Sequence, residues 1–489
     1  MYEELVRMVK EAGVLGSVLE VLGWDHEVMM PPSAIALRGA QLAVVESLAH
    51  KLKTDPRIGE LLIAIDRKAL TPEEAANMQE IERSYERSVR VPASLVEEKS
   101  SLDIQSNEAW KKAREENNFA LFLPFLEQEV DVTRCMAGYI DPSADPYQVL
   151  LNEFEPDISV TELNVLFAEI KATVVPLVEA ISRQPVPDTT ILRRRVSEAK
   201  QMKYLRSLAT AIGYDFTKGR LDTATHPFTG CYGRITTRFS DGWAQAIGST
   251  IHEAGHGKYE HNLPIEHFGT PLGDYRSMGV HESQSRLWEN HVGRSREFWL
   301  WQYPHLQHAY RPLLDGLPVD EYYRFINVVE PGFIRVNADE LTYSMHIVLR
   351  FEIEQALIAG TLRAKDVPEA WNRGMQKLLG ITPPTDTLGC LQDIHWSSGA
   401  FGYFPTYLYG SMISAQLWEA ASVEIGHLDE KLAVGDLGVL NEWLREHIHR
   451  HGCRFDTKEL VLRATGEELN AKAFTGYLNR KFRDLYRLS

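Results

Sequence analysis

Apolar residues along this chain recur mostly at three- and four-residue spacing, the period of an amphipathic helix. Leu5, Val6 and Val9 start the pattern, Leu42, Val45 and Leu48 continue it, and Met29-Met30-Pro31-Pro32 interrupts it. Thr71-Pro72-Glu73-Glu74 reads as a helix start, with Thr71 as cap, Pro72 in the first turn and Glu74 closing a capping box. Ser159 and Glu162 repeat that signature ahead of Leu163, Leu166, Phe167, Ile170, Val174 and Leu177, a buried face that Pro176 should kink or end. Further helical runs open at Pro124, reaching about Thr133, and at Pro146, reaching Glu155. The stretch 212–239 is different: Gly213, Gly219, Gly230 and Gly233 punctuate it, and Arg234-Ile235-Thr236-Thr237-Arg238-Phe239 has the character of a short strand. The expected fold is therefore mainly α, with a small sheet that either holds an extended peptide along an edge or forms a structural hairpin.

The helix that follows this stretch carries the chemistry. From Trp243 onward Ala244, Ile247, Ile251 and Ala254 form an apolar stripe, with His252 and His256 beside it one turn apart. Four residues at 3.6 per turn leave the two imidazoles roughly 40° apart, so both reach one metal ion from the same side. Glu253 projects to another azimuth, where its carboxylate can hold and deprotonate a water at that metal without ligating it. Gly255 and Gly257 beside the histidines imply that something approaches the helix backbone closely, since glycine otherwise weakens a helix by about 1 kcal/mol.

A catalytic zinc takes a third protein ligand and keeps a position open for water. Glu282, in His281-Glu282-Ser283-Gln284-Ser285-Arg286, opens a helical run through Leu287, Trp288 and Val292 that could pack beside the first helix. His281 and Glu289 are rivals for the same role. Trp24-Asp25-His26-Glu27 offers ligand types but reads as a solvated turn, and His447-Ile448-His449-Arg450-His451 reads as a solvated histidine-rich helix end beside Trp443, Leu444 and Ile448.

Composition narrows the classes. At 489 residues, 44% hydrophobic and 25% charged, the chain has the make-up of a globular protein with a sizeable core. No linker composition or fixed repeat divides it, so one unit spanning 1–489 is expected. A net charge of -16 disfavours general nucleic-acid binding. The N-terminal sequence has no basic start or apolar signal core, no apolar run is long enough for a membrane, and Cys135, Cys231, Cys390 and Cys453 form no Cys-x-x-Cys, which together point to a cytoplasmic protein with reduced thiols.

Beyond His252 to His256 and His281 to Ser285, the chain has Ile334-Arg335-Val336-Asn337-Ala338-Asp339 and Gly389-Cys390-Leu391-Gln392-Asp393-Ile394-His395-Trp396, with His226-Pro227-Phe228 as a fifth motif. With these motifs the sequence resembles the carboxypeptidase Taq family of metallocarboxypeptidases. The likeness extends from Trp24-Asp25 and Met30-Pro31-Pro32 to the last helices. The resemblance implies His252, His256 and Glu282 as metal ligands, with zinc the first candidate and cobalt or manganese acceptable to the same donors. It implies Glu253 as general base, a substrate groove with the metal at its bottom, peptide substrates with a free C-terminus, and a homodimer. His395, then Tyr403 or Tyr407, are the donors of choice for the tetrahedral oxyanion, the tyrosines having core packing as an equal alternative. Arg335 suits a substrate carboxylate, or else a salt bridge to Asp339 or another acid. One departure stands out: the family's Asp-x-Arg-x-Thr is Tyr232-Gly233-Arg234-Ile235-Thr236 here. Arg234 and Thr236 remain as expected substrate contacts, without the acid.

Overall fold

A computed structural model of the chain describes every residue except Asp241 and Ser489. Helices dominate it. The N-terminal portion contains α1 (Tyr2–Val28), α2 (Ile35–Lys53), α3 (Pro56–Ala64), α4 (Pro72–Arg90), α5 (Ala93–Glu115), α6 (Leu123–Ile140), α7 (Pro146–Phe154), α8 (Val160–Ile181) and α9 (Glu198–Ala211). Three of these begin in the same way, with Pro56, Pro72 and Pro146 in the first turn and Asp55, Thr71 and Asp145 accepting backbone N–H bonds as caps. Both expected capping boxes form, at Thr71–Glu74 and Ser159–Glu162. Pro176 does not end α8, which runs on to Ile181. The helix from Pro124 continues past Thr133 to Ile140.

Three short strands follow, β1 (Leu221–Thr223), β2 (Thr229–Gly230) and β3 (Arg234–Thr237). Their order is β1-β3-β2, with β1 parallel and β2 antiparallel to β3. The strand read from sequence is thus the central one, so the free edges belong to β1 and β2.

Beyond the sheet come α10 (Trp243–Asn262), α11 (Met278–Arg286), α12 (Arg296–Ala309), α13 (Val319–Ile326), α14 (Tyr343–Ile358), α15 (Val367–Leu379), α16 (Pro405–Ile425), α17 (Leu428–Val434), α18 (Gly438–His447), α19 (Thr457–Thr465) and α20 (Lys472–Tyr486). α10 buries Trp243, Ile247, Ile251 and Ala254, the stripe seen in the sequence. α14 and α16 are buried on nearly every side, which is why neither shows a clear amphipathic face. The main core runs from Trp110 to Phe482, and a smaller cluster of Leu5, Ile58, Leu61, Leu62, Ile65, Met78 and Ile81 ties α1, α3 and α4 together.

Among the described residues no helix is long and apolar enough to cross a membrane, and all four cysteines are free thiols. The histidine-rich tract differs from its solvated expectation. α18 stops at His447, and His449 is buried, with Nε2 2.9 Å from Gln284 Oε1 and Nδ1 3.1 Å from Asn262 Nδ2. Ile448 carries the chain inward, and the imidazole after it becomes a core hydrogen-bonding group.

Candidate metal centre

α10 and α11 pack closely because glycine lets them. A Cβ on Gly255 would lie 2.6 Å from Ser285 Cα, and one on Gly257 would lie 2.7 Å from the Tyr214 ring. Gly410 on α16 is as tight, 2.8 Å from Glu282 Cβ. These contacts are the close approach that the two glycines of α10 implied.

The packing brings His252, His256 and Glu282 together, their ligand atoms all within 4.8 Å of one another. Nε2 of His256 lies 3.2 Å, and Nε2 of His252 3.6 Å, from the same Glu282 oxygen, Oε2. Two imidazole nitrogens converging on one carboxylate oxygen are a donor set that fits a divalent ion of the zinc type. α11 starts earlier than the sequence suggested, at Met278, because Ser277 caps it by accepting from Val280 N. Glu282 therefore sits within the helix, and the turn after it widens into a π-helix over Leu287–Val292.

The two rivals for the third ligand act around the site. Glu289 lies 2.8 Å from His252 Nδ1, which leaves Nε2 to face the ligand cluster. His281 bonds Glu260 at 2.8 Å and stacks on the His256 ring at 4.5 Å. Arg286 donates to Glu282 Oε1 at 2.6 Å and to Glu289 at 3.1 Å. The spacing of Glu282, Arg286 and Glu289, four and then three residues, puts them on one helix face and was the available signal.

Charge follows from this packing. Burial works against an imidazolium at His252, yet the carboxylates of Glu282 and Glu289 outweigh it and push the pKa up to about 9. His256, buried against His281, is pushed down to about 3. Burial opposes ionisation of Glu282 as well, but Arg286 and the histidines hold it well below the usual carboxylate range. Burial raises the carboxyl of Glu253. Thr229, on edge strand β2, donates to Glu253 Oε2 at 2.7 Å. No local signal marks Thr229, since its position depends on the turn between β2 and β3.

The remaining candidates form two groups. Thr236 is fully buried, its hydroxyl bonded to Phe228 N at 2.7 Å and Phe228 O at 2.9 Å, so it closes the sheet instead of facing a substrate. Arg234 stands over the Trp24 and Tyr232 rings, at 5.8 and 5.9 Å, and Tyr232 adopts a left-handed φ of 59°. Tyr232, in the position of the expected acid, thus meets Arg234 through its ring.

The second group gathers on α14, α16 and the turns between. Arg335 is buried, and its partner is Asp393, at 3.1 Å from Nε and 2.8 Å from Nη2. Asp339 instead caps its own turn, accepting from Leu341 N and Thr342 N. Arg350 donates to the other oxygen of Asp393 and to Gln392. Two guanidiniums share one carboxylate, leaving a surplus positive charge. Nη1 of Arg335 points to Tyr343 Oη at 3.4 Å, and the Tyr343 ring lies under the Arg286 guanidinium, which is 4.1 Å from its centre. Through these two residues Arg335 is linked to Glu282. The His395 ring packs on Phe404 at 4.4 Å and Tyr403 at 5.4 Å, with Tyr407 5.4 Å from Tyr403. Burial lowers the His395 pKa to about 4. A cavity of about 980 Å³ opens between the N-terminal helices and α10–α11. His252, His256 and Glu282 do not line it; it approaches them across Glu260 and Tyr275, both in contact with His281.

A half-buried pair of histidines and a buried glutamate on facing helices, in a helical fold with a small sheet, define a metallopeptidase type of centre. The sequence profile of the carboxypeptidase Taq (M32) metallopeptidases matches residues 4–482, and the chain belongs to that family. It is 38% identical to thermostable carboxypeptidase 1 of Thermus thermophilus over 504 aligned residues, with 99% of both chains covered. Carboxypeptidase 1 of Bacillus subtilis is 35% identical, again with 99% of each covered. The crystal structure of an M32 carboxypeptidase from Deinococcus radiodurans superposes with a TM-score of 0.96 at 37% identity, covering all of this chain and 99% of that one. The enzyme is accordingly a metallocarboxypeptidase that depends on a divalent metal.

Proposed function

We propose that the chain hydrolyses the last peptide bond of substrates with a free C-terminus, using one zinc-type ion held by His252, His256 and Glu282. The observation that carries this reading is the convergence of the two Nε2 atoms on Glu282 Oε2, with the Glu253 carboxyl close enough to feel the charges of His252 and Glu282. Such an ion supplies Lewis-acid chemistry, polarising the scissile carbonyl and acidifying the attacking water.

The protein residues do the rest. Glu253 Oε1 takes the proton of the attacking water and delivers it to the leaving amine, while Thr229 keeps Oε2 occupied and the side chain aimed. Burial of Glu253 strengthens it as a base. His395, neutral at working pH, donates a hydrogen bond to the developing oxyanion, assisted by the hydroxyls of Tyr403 and Tyr407. Nη1 of Arg335, with the surplus charge it shares with Arg350, receives the substrate carboxylate. Arg234 is the proposed contact for residues further from the cut. By resemblance to the family, the unit acts as a homodimer of broad specificity, and its free thiols suit the cytoplasm.

Mass spectrometry of one peptide with a free C-terminus and of its amidated twin tests the reading, using wild type and Arg335→Ala. Stepwise loss from the free peptide alone is expected, and Arg335→Ala should raise KM for it by roughly 10-fold or more, the worth of a charge-assisted bond, with metal content unchanged. Internal cleavage of both peptides would point to an endopeptidase and overturn it.

A further inference from the structure

Residues 391–402 connect the Arg335 site to the start of α16, and His395 lies in the 3₁₀ turn at their centre. The turn is held from outside by α5: Trp110 Nε1 donates to Leu391 O at 3.1 Å, and Lys99 Nζ donates to Ser398 O at 2.8 Å. From inside it is held by α14. Arg350 grips Gln392 and Asp393, and one helical turn on, Glu354 grips Trp396 and Gly402.

Glu354 is fully buried, and each of its contacts is a donor to it. The Trp396 indole N–H reaches Oε1 at 2.8 Å; Gly402 N–H reaches Oε2 at 3.1 Å, and the Tyr147 hydroxyl reaches the same oxygen at 2.8 Å. Gly402 has φ +88°, and a Cβ there would lie 2.8 Å from Leu151 N, so this end of the turn has one narrow path. His395 by contrast has no hydrogen bond at Nδ1. Its ring is placed by its backbone and by packing on Phe404 and Tyr403, both of which follow Gly402 directly.

We infer that Glu354 is a positioning residue for hydrolysis: its carboxylate, by holding Trp396 and Gly402 from one oxygen each, fixes where His395 and Tyr403 stand relative to the metal centre. The inference rests on the oxyanion role proposed for His395. It separates two functions on one helix, since Arg350, four residues away, secures the Asp393–Arg335 pair that receives the substrate carboxylate. Loss of Glu354 should therefore lower kcat and leave KM and the metal ligands alone.

Glutamine tests this because it cannot satisfy the site. With its oxygen toward Trp396, the amide N–H₂ faces Gly402 N–H; turned over, it faces the indole N–H. Glu354→Gln should keep its metal and a KM within about twofold, and lose about 10- to 100-fold in kcat, the usual range for outer residues that orient a site. Trp396→Phe removes the indole donor, so the double variant should recover part of the kcat lost in Glu354→Gln. Wild-type kcat in Glu354→Gln, a loss that tracks metal content or KM, or no recovery in the double variant would overturn the inference. If Glu354→Gln folds poorly, Trp396→Phe alone decides: a lowered kcat at unchanged KM supports it and an unchanged kcat overturns it. His395→Ala is assayed alongside. If that variant retains full kcat, the oxyanion role of His395 is wrong; if it is impaired while Glu354→Gln is not, only the inference fails.

Discussion

Of the three proposed ligands, His252 is the one held between two carboxylates. With Glu282 on one side and Glu289 on the other, its imidazolium persists up to about pH 9, whereas His256 is neutral down to about pH 3 and Glu282 stays ionised. In the metal-free protein an imidazolium thus occupies part of the charge that the ion would supply. A ligating nitrogen must be unprotonated, so metal uptake at pH 7 should release about one proton, and affinity should rise with pH until it levels near 9. Calorimetry of zinc binding in two buffers of different ionisation enthalpy measures that proton directly; release of none would mean that His252 is already neutral. At this scale the sequence was most informative where partners share a helix. His252, Glu253 and His256 are legible because helical geometry alone relates them. Asp393 was hidden from Arg335 by the 58 positions between them, which include α14 and α15, and no spacing rule reports a salt bridge closed by tertiary packing.

At the scale of elements, the site is a packing problem solved by glycine. α10 and α11 meet at Gly255, where a single methyl would press on the backbone of Gln284 and Ser285. Gly255→Ala gains helix propensity of up to about 1 kcal/mol, but overpacking a tight contact of this kind costs about 1–3 kcal/mol, so a net loss of stability is expected. The displaced α11 carries Glu282, and zinc affinity should fall with it. Thermal unfolding and metal titration of the variant check both; a variant more stable than wild type with unchanged affinity would show that the helices do not need this contact. The helix starts were readable because Thr71, Ser159 and the first-turn prolines are local signals. The π-turn after Glu282, the central place of β3 and the inward course of His449 were not, because each is imposed by elements far away in sequence.

Across the whole molecule, α10, α11, α14 and α16 pack into a frame around the proposed metal ligands, base, oxyanion donors and substrate guanidinium. The mainly helical class and the small sheet were legible from periodicity; the cavity between the N-terminal helices and this frame was not, since α1 and α4 line one side of it and residues 260–278 the other. Every step proposed for the frame passes through one proton carrier, Glu253. The most direct measurement is therefore zinc content and peptide hydrolysis of Glu253→Gln beside wild type. One zinc per chain is expected in both proteins, with a loss of at least about 100-fold in kcat for the variant, the scale of a missing general base. Hydrolysis at the wild-type rate with zinc bound would contradict this role of Glu253.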